Sequence, residues 1–246
     1  MENNENIIID VNNLIKSYGF KKVLKGISFQ IERGEIFGIL GKNGVGKSTT
    51  IECLLGAKSF NSGDIYINGY NIKKDPIKIK KEIGYVASEP TCYKEMTGIS
   101  YLELIASIHN VKPQSFLQNI DFLLKALDFK EEDLYRQIIE YSHGMQQKLC
   151  LMASLIHNPS IWVLDEPTVG LDSMTANNLS YLIKDFSKHN NTCIITSHNI
   201  DLVAKLCDKV IIIKDGLIYN TYNLRKEPQL RSRLSKIFLN LNKEWF

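Results

Sequence analysis

The chain has 246 residues, 44% of them hydrophobic and 23% charged, and a net charge of +3. These values suit one large α/β domain, or a domain with a subdomain, that buries a sizeable core. The charge is too small to argue for nucleic acid as a main partner, and no apolar run approaches the ~20 residues of a membrane-spanning helix.

The polar, acidic opening Met1-Glu2-Asn3-Asn4-Glu5-Asn6 is not that of a secretory signal. Five cysteines (Cys53, Cys92, Cys150, Cys193, Cys207) are scattered and form no Cys-x-x-Cys pair. They are expected to be reduced, mostly buried thiols of a cytosolic protein. The first third reads mostly as strands. Ile27-Ser28-Phe29-Gln30-Ile31 alternates apolar and polar and turns at Glu32-Arg33-Gly34. Glu35 to Leu40 reads as a buried strand and Lys47 to Leu55 as a helix.

Between them lies Gly41-Lys42-Asn43-Gly44-Val45-Gly46-Lys47-Ser48, which matches Gly-x-x-x-x-Gly-Lys-Ser in the strand–turn–helix context that confirms a phosphate-binding loop. Glycines let the backbone wrap phosphate oxygens, and loop amides with the positive helix end attract the anion. In such loops the lysine, here Lys47, reaches the β- and γ-phosphates, and the Ser48 hydroxyl ligates Mg²⁺. Thr49 follows within the same nucleotide-binding stretch.

Asp64 to Ile67 alternates again and ends at the turn pair Asn68-Gly69. Lys73, Lys74, Lys78, Lys80 and Lys81 form a basic group, either a solvated helix face or a contact for anionic lipid or acidic partner loops. Ile83 to Val86 is a further short strand. From Gly98 to about Asn158 the period turns helical, with Phe122, Leu123, Ala126 and Leu127, then Leu149, Met152, Ala153 and Ile156, at three- and four-residue steps; Pro113 interrupts the first of these helices. We read 91–155 as an inserted helical subdomain, 1–90 and 156–225 as the α/β core with a β subdomain, and 226–246 as a basic helical tail carrying Arg231, Arg233, Lys236 and Lys243.

The core resumes with the continuous apolar strand Ile161-Trp162-Val163-Leu164, of the kind buried on both faces of a parallel sheet. A helix from about Met174 to Lys188 follows, then strand Cys193–Thr196, a helix over Ile200–Leu206, strand Val210–Ile213 and a return strand from Leu217. This alternation predicts a mostly parallel sheet with helices on both faces. Asp165 ends the strand Ile161–Leu164 and Glu166 follows it. Beside a phosphate loop, Asp165 suits the same Mg²⁺ and Glu166 suits proton removal from an attacking water. Paired acids at a strand tip also occur as plain solvated surface, and His198, after another core strand, is by itself a weak signal.

Together these residues resemble a nucleotide-binding domain of the ATP-binding cassette family over nearly the whole length. By that resemblance Walker A is Gly41 to Ser48 and Walker B is Ile161 to Asp165, with Glu166 the catalytic carboxylate and His198 the switch histidine. The D-loop is Gly170-Leu171-Asp172, and the signature is Tyr141-Ser142-His143-Gly144-Met145. Tyr18 falls where the family stacks an aromatic on adenine; its alternative is an edge-strand surface tyrosine. The resemblance implies a P-loop NTPase fold with an N-terminal antiparallel β subdomain, ATP and Mg²⁺ as ligands, and an ATP-joined dimer in which Ser142 and the Gly144 amide meet the γ-phosphate across the interface.

The chain departs from the family pattern at Ser88, where most relatives carry a metal-contacting Gln. It also departs in the signature, with Tyr141 for Leu, His143 for Gly and Met145 for Gln. Ser88 predicts a weaker or water-mediated metal contact, and His143 predicts pH-sensitive activity. Glu95 to Leu102 and Tyr141 to Met145 are similar to exporters of drugs, lipids and antimicrobial peptides. The expected role is therefore the energy-coupling ATPase of an exporter, on the cytoplasmic membrane face, with a second ATPase subunit and separate permease subunits as partners. The alternative is a soluble cassette ATPase in assembly or nucleic-acid work without a permease. Chromosome-maintenance relatives carry a long coiled coil between the Walker motifs, absent here. A small-molecule kinase explains neither Ser142-x-Gly144 nor Glu166 with His198.

Overall fold

A computed structural model of the chain describes residues 6–243, with side chains described to residue 238. Of the polar opening, residues 1–5 lie outside the described residues, as do the last three residues of the tail and the Lys243 side chain.

Strands β1 (Ile7–Tyr18) and β2 (Lys21–Glu32) form a long antiparallel hairpin. β3 (Ile36–Leu40) then enters a second sheet, the 41–46 loop follows, and α1 (Lys47–Leu54) leaves it. β4 (Ser62–Ile67) and β5 (Tyr70–Asn71) complete a four-stranded sheet in the order β2-β1-β4-β5. α2 (Pro76–Glu82) carries Lys78, Lys80 and Lys81 and feeds β6 (Ile83–Val86). The helical region holds α3 (Gly98–Ile108), α4 (Pro113–Leu127) and α5 (His143–Leu155). Pro113 occupies the first turn of α4, where a missing N–H costs nothing, so it starts a helix rather than kinking one.

β7 (Ile161–Asp165), α6 (Ser173–Lys188), β8 (Thr192–Ser197), α7 (Ile200–Leu206), β9 (Lys209–Lys214), β10 (Leu217–Asn223) and α8 (Leu230–Lys243) follow. The second sheet has six strands in the order β10-β9-β3-β8-β7-β6; β6, β7, β8, β3 and β9 run parallel and β10 returns antiparallel.

Alternation along the buried strands sorts the core into two layers. Ile161, Val163, Ile194, Phe37, Ile39 and Ile211 face the antiparallel sheet and α1, packing on Leu14, Ile31 and Ile51. Trp162, Leu164, Ile195, Leu40 and Ile212 face the other way, onto helices that contribute Leu149, Met152, Leu179 and Val203. The stripe on α4 is Ile120, Leu123 and Leu127, all buried. Phe122, one residue from that stripe, points away and is half exposed, lining a groove with Leu182 and Phe186 of α6.

Candidate active site

The 41–46 loop runs from the end of β3 to the start of α1. Gly46 has φ +115° at the N-cap, and an added Cβ would meet Leu24 Cδ2 at 2.6 Å. No side chain caps α1, so its first amides remain available to an anion. The loop opens on a cavity of about 250 Å³ lined by Asn43, Gly44, Gly46, Lys47, Ser48 and Thr49. Val45 packs inward against Gly41. The Lys47 ammonium is buried and donates to the carbonyls of Gly41 (2.8 Å) and Lys42 (3.2 Å). Burial lowers its pKa, while the charges of Glu166 and Asp165 oppose the shift, so those carboxylates lie within electrostatic reach of the amine.

The carboxylates are held by β8. Thr196 Oγ1 donates to Asp165 Oδ1, and Asp165 is buried. The Glu166 amide donates to Thr196 O at 3.0 Å, which ties the residue after β7 to its neighbouring strand. Glu166 adopts φ +50°, an uncommon conformation for a non-glycine residue that turns its side chain off the strand path. Its Oε2 accepts from Ser197 Oγ (3.1 Å) and pairs with His198 Nδ1 (2.9 Å). The Glu166 side chain is only 14% exposed, whereas that of His198 is 66% exposed. One carboxylate is thus fixed by a hydroxyl behind it and an imidazole in front. Asn199 begins α7 as its N-cap, and its amide donates to Ser197 Oγ.

Ser142 is the N-cap of α5, its Oγ accepting from the Met145 amide at 3.2 Å. Its own hydroxyl proton remains free to donate. Tyr141 is buried and donates to Asp133 O at 2.5 Å, so it fills the usual Leu place as a core residue with a polar tip. The His143 ring packs on Gly170, which has φ +78°; a Cβ at Gly170 would fall on the imidazole. Gly144 also faces Gly170, its added Cβ lying 3.2 Å from the Gly170 carbonyl oxygen. Two residues on, Asp172 caps α6 by accepting from the Thr175 amide (2.9 Å) and hydroxyl (2.7 Å), and these donors lower its pKa.

The fold therefore brings Lys47, Asp165, Glu166 and His198 together. Ser142, His143 and Gly144 do not line the loop cavity; His143 and Gly144 instead sit against Gly170. Ser88 is half-buried two residues past β6, which runs parallel beside β7, so it leaves the sheet in the same direction as Asp165. Tyr18 ends β1, 42% exposed as a residue, with the Lys16 and Lys58 amines 4.8 and 5.4 Å from its ring centroid. Thr196 and Ser197 are the polar groups that sequence reasoning passed over. Their signal was two hydroxyls ending an apolar strand immediately before His198.

The ABC transporter family profile matches residues 24–169. An uncharacterized ABC transporter ATP-binding protein of Methanocaldococcus jannaschii is 36% identical over 85% of this chain and 74% of its own length. A linearmycin resistance ATP-binding protein of Bacillus subtilis is 34% identical over 85% of this chain and 67% of its own. A solved dimeric ABC transporter cassette superposes with a TM-score of 0.81 at 25% identity, covering 89% of this chain and 99% of that one.

Proposed function

Because this chain belongs to the ABC transporter family of ATP-binding proteins and is an ATPase, we propose that it is the energy-coupling subunit of an exporter. In this reading two copies, or this chain and a sister, close around two ATP molecules and drive separate permease subunits from the cytoplasmic face. The dimeric cassette of the same fold supports the pairing, and the linearmycin resistance relative supports export. Among the described residues no helix is long and apolar enough to cross a membrane, which accords with a permease on other chains.

The chemistry follows from the Glu166 environment. Its carboxylate accepts a proton from the attacking water while Ser197 and His198 keep it aimed. Lys47 leaves the loop carbonyls for the β- and γ-phosphate oxygens and stabilises charge that spreads over them. The Ser48 hydroxyl and the buried Asp165 carboxylate are a hard oxygen pair of the kind that holds Mg²⁺ beside a phosphate loop. When bound, that ion supplies charge neutralisation at the phosphates. Ser142 and the Gly144 amide approach the γ-phosphate from the partner copy, and Tyr18 stacks on the base. Ser88, shorter than the family Gln, would help to hold the ion less directly, through a water.

The observation that carries this reading is the Glu166–His198 contact at 2.9 Å beside the phosphate loop. Glu166→Gln tests it: turnover should fall by on the order of 10²-fold or more while ATP binding persists and a nucleotide-trapped dimer accumulates in size-exclusion chromatography. Near-normal turnover would remove Glu166 as the base. For the exporter assignment, an integral membrane chain should co-purify from detergent-solubilised membranes.

A further inference from the structure

Cys92 and Cys150 are 58 positions apart in sequence, yet their sulfurs lie 3.1 Å from each other. Cys92 sits in the 87–97 segment that joins β6 to α3 and also carries Ser88. Cys150 lies in the middle of α5, whose N-terminus is capped by Ser142. We propose that this pair is a peroxide-sensitive dithiol whose disulfide ties the 87–97 segment to the signature helix and slows ATP turnover.

The geometry favours the bond. A disulfide needs the sulfurs at about 2.04 Å, so a closing movement of about one ångström suffices. Cys92 is half-buried, and Cys150 lines a cavity of about 240 Å³ with Thr91, Tyr101, His109 and His157, which gives a small hydroperoxide a way in. The hydrogen bond from the Cys92 thiol, with the Thr91 amide, holds Cys150 below the ordinary thiol range. Cys92, the donor in that bond, is itself held above the range by the bond and by burial; Cys53, Cys193 and Cys207 are fully buried, and burial pushes each of those thiols up. Deep, protonated thiols are inert, so the chemistry is confined to one pair.

The steps balance. The Cys150 thiolate attacks the outer oxygen of the hydroperoxide, the O–O bond breaks, and the alkoxide leaves with a proton as alcohol. Cys92 then attacks the sulfenic sulfur, the S–O bond breaks, and water leaves with the Cys92 proton. Two thiols and one hydroperoxide give one disulfide, one alcohol and one water. Thiol reductants reverse it, as expected of a disulfide in a reducing compartment.

The bond itself does not depend on the ATPase reading; its effect on turnover does. The purified full chain is treated with hydrogen peroxide, and free thiols, non-reducing peptide maps and ATP turnover are measured before and after dithiothreitol. Two of the five thiols should vanish, and one cross-linked peptide should join Cys92 to Cys150. Turnover should drop by about tenfold, within the range that small misplacements of catalytic groups produce, and recover on reduction. Cys92→Ser, at a half-buried position outside the active site, should turn over normally and ignore peroxide. Recovery of Cys92 and Cys150 unlinked overturns the proposal, as does equal peroxide inhibition of Cys92→Ser. A linked pair with unchanged turnover overturns the regulatory claim. Failure of the reduced chain to hydrolyse ATP would instead count against the functional reading, because the peptide map is read without turnover.

Discussion

His157, just beyond α5, should make the fold acid-sensitive above the range where carboxylates titrate. Its ring stacks on His109 with centroids 3.7 Å apart and planes 21° from parallel. Neither ring nitrogen has a hydrogen-bond partner among the described residues. Burial, aided by His109, lowers its pKa from 6.5 to about 4, and the nearby Ile83 backbone opposes this only partly. The folded state thus prefers the neutral ring. The stability this confers is complete above pH 6.5 and is lost as pH falls toward 4. A gap of that size corresponds to about 3 kcal/mol in full, of which about 2 kcal/mol is gone by pH 5.

His157→Phe keeps a flat ring on His109 and removes the titration. Urea unfolding at pH 7.5 and pH 5 should show wild type losing about 2 kcal/mol more than the variant between the two conditions. In melting experiments the difference should be several degrees, given about 2–4 °C per kcal/mol for a chain of this size. Parallel losses in the two proteins would mean that His157 is solvated or hydrogen-bonded in solution and would refute its role in acid sensitivity.

Gly46→Ala should abolish nucleotide binding, because φ +115° and the Leu24 side chain both reject a Cβ; isothermal titration with ATP checks this, and wild-type affinity would refute it. Ser88→Gln should raise basal hydrolysis several-fold and lower the Mg²⁺ needed for half-maximal rate. An unchanged Mg²⁺ titration would mean that Ser88 plays no part in holding the ion.

The parallel core was legible because β3, β7 up to Leu164 and the Cys193–Ile195 centre of β8 are short apolar runs, the pattern of strands buried on both faces. β1 was not. Its register against β2 shifts around Asn12 and Asn13, and Asn13 has φ +47°, so the alternation that marks a strand is broken midway. The phosphate loop and the acids after β7 could be read locally, since each motif is contiguous. The grip of Thr196 and Ser197 on those acids is a cross-strand property, set by the β7–β8 register that pairs Asp165 with Thr196. Ser142 reads locally only as a helix cap, and the phosphate contact proposed for it rests on family resemblance. The approach of Cys92 to Cys150 depends on how a loop meets a helix across the subdomain, which no local pattern encodes.

The packing of His143 on Gly170 links two loops that are far apart along the chain. The constraint runs one way: a methyl group at 170 would fall on the imidazole, in a backbone conformation that already favours glycine, whereas a smaller residue at 143 would clash with nothing. The imidazole at the start of α5 therefore holds the turn opposite to glycine, and a side chain at 170 could be admitted only after that ring is removed.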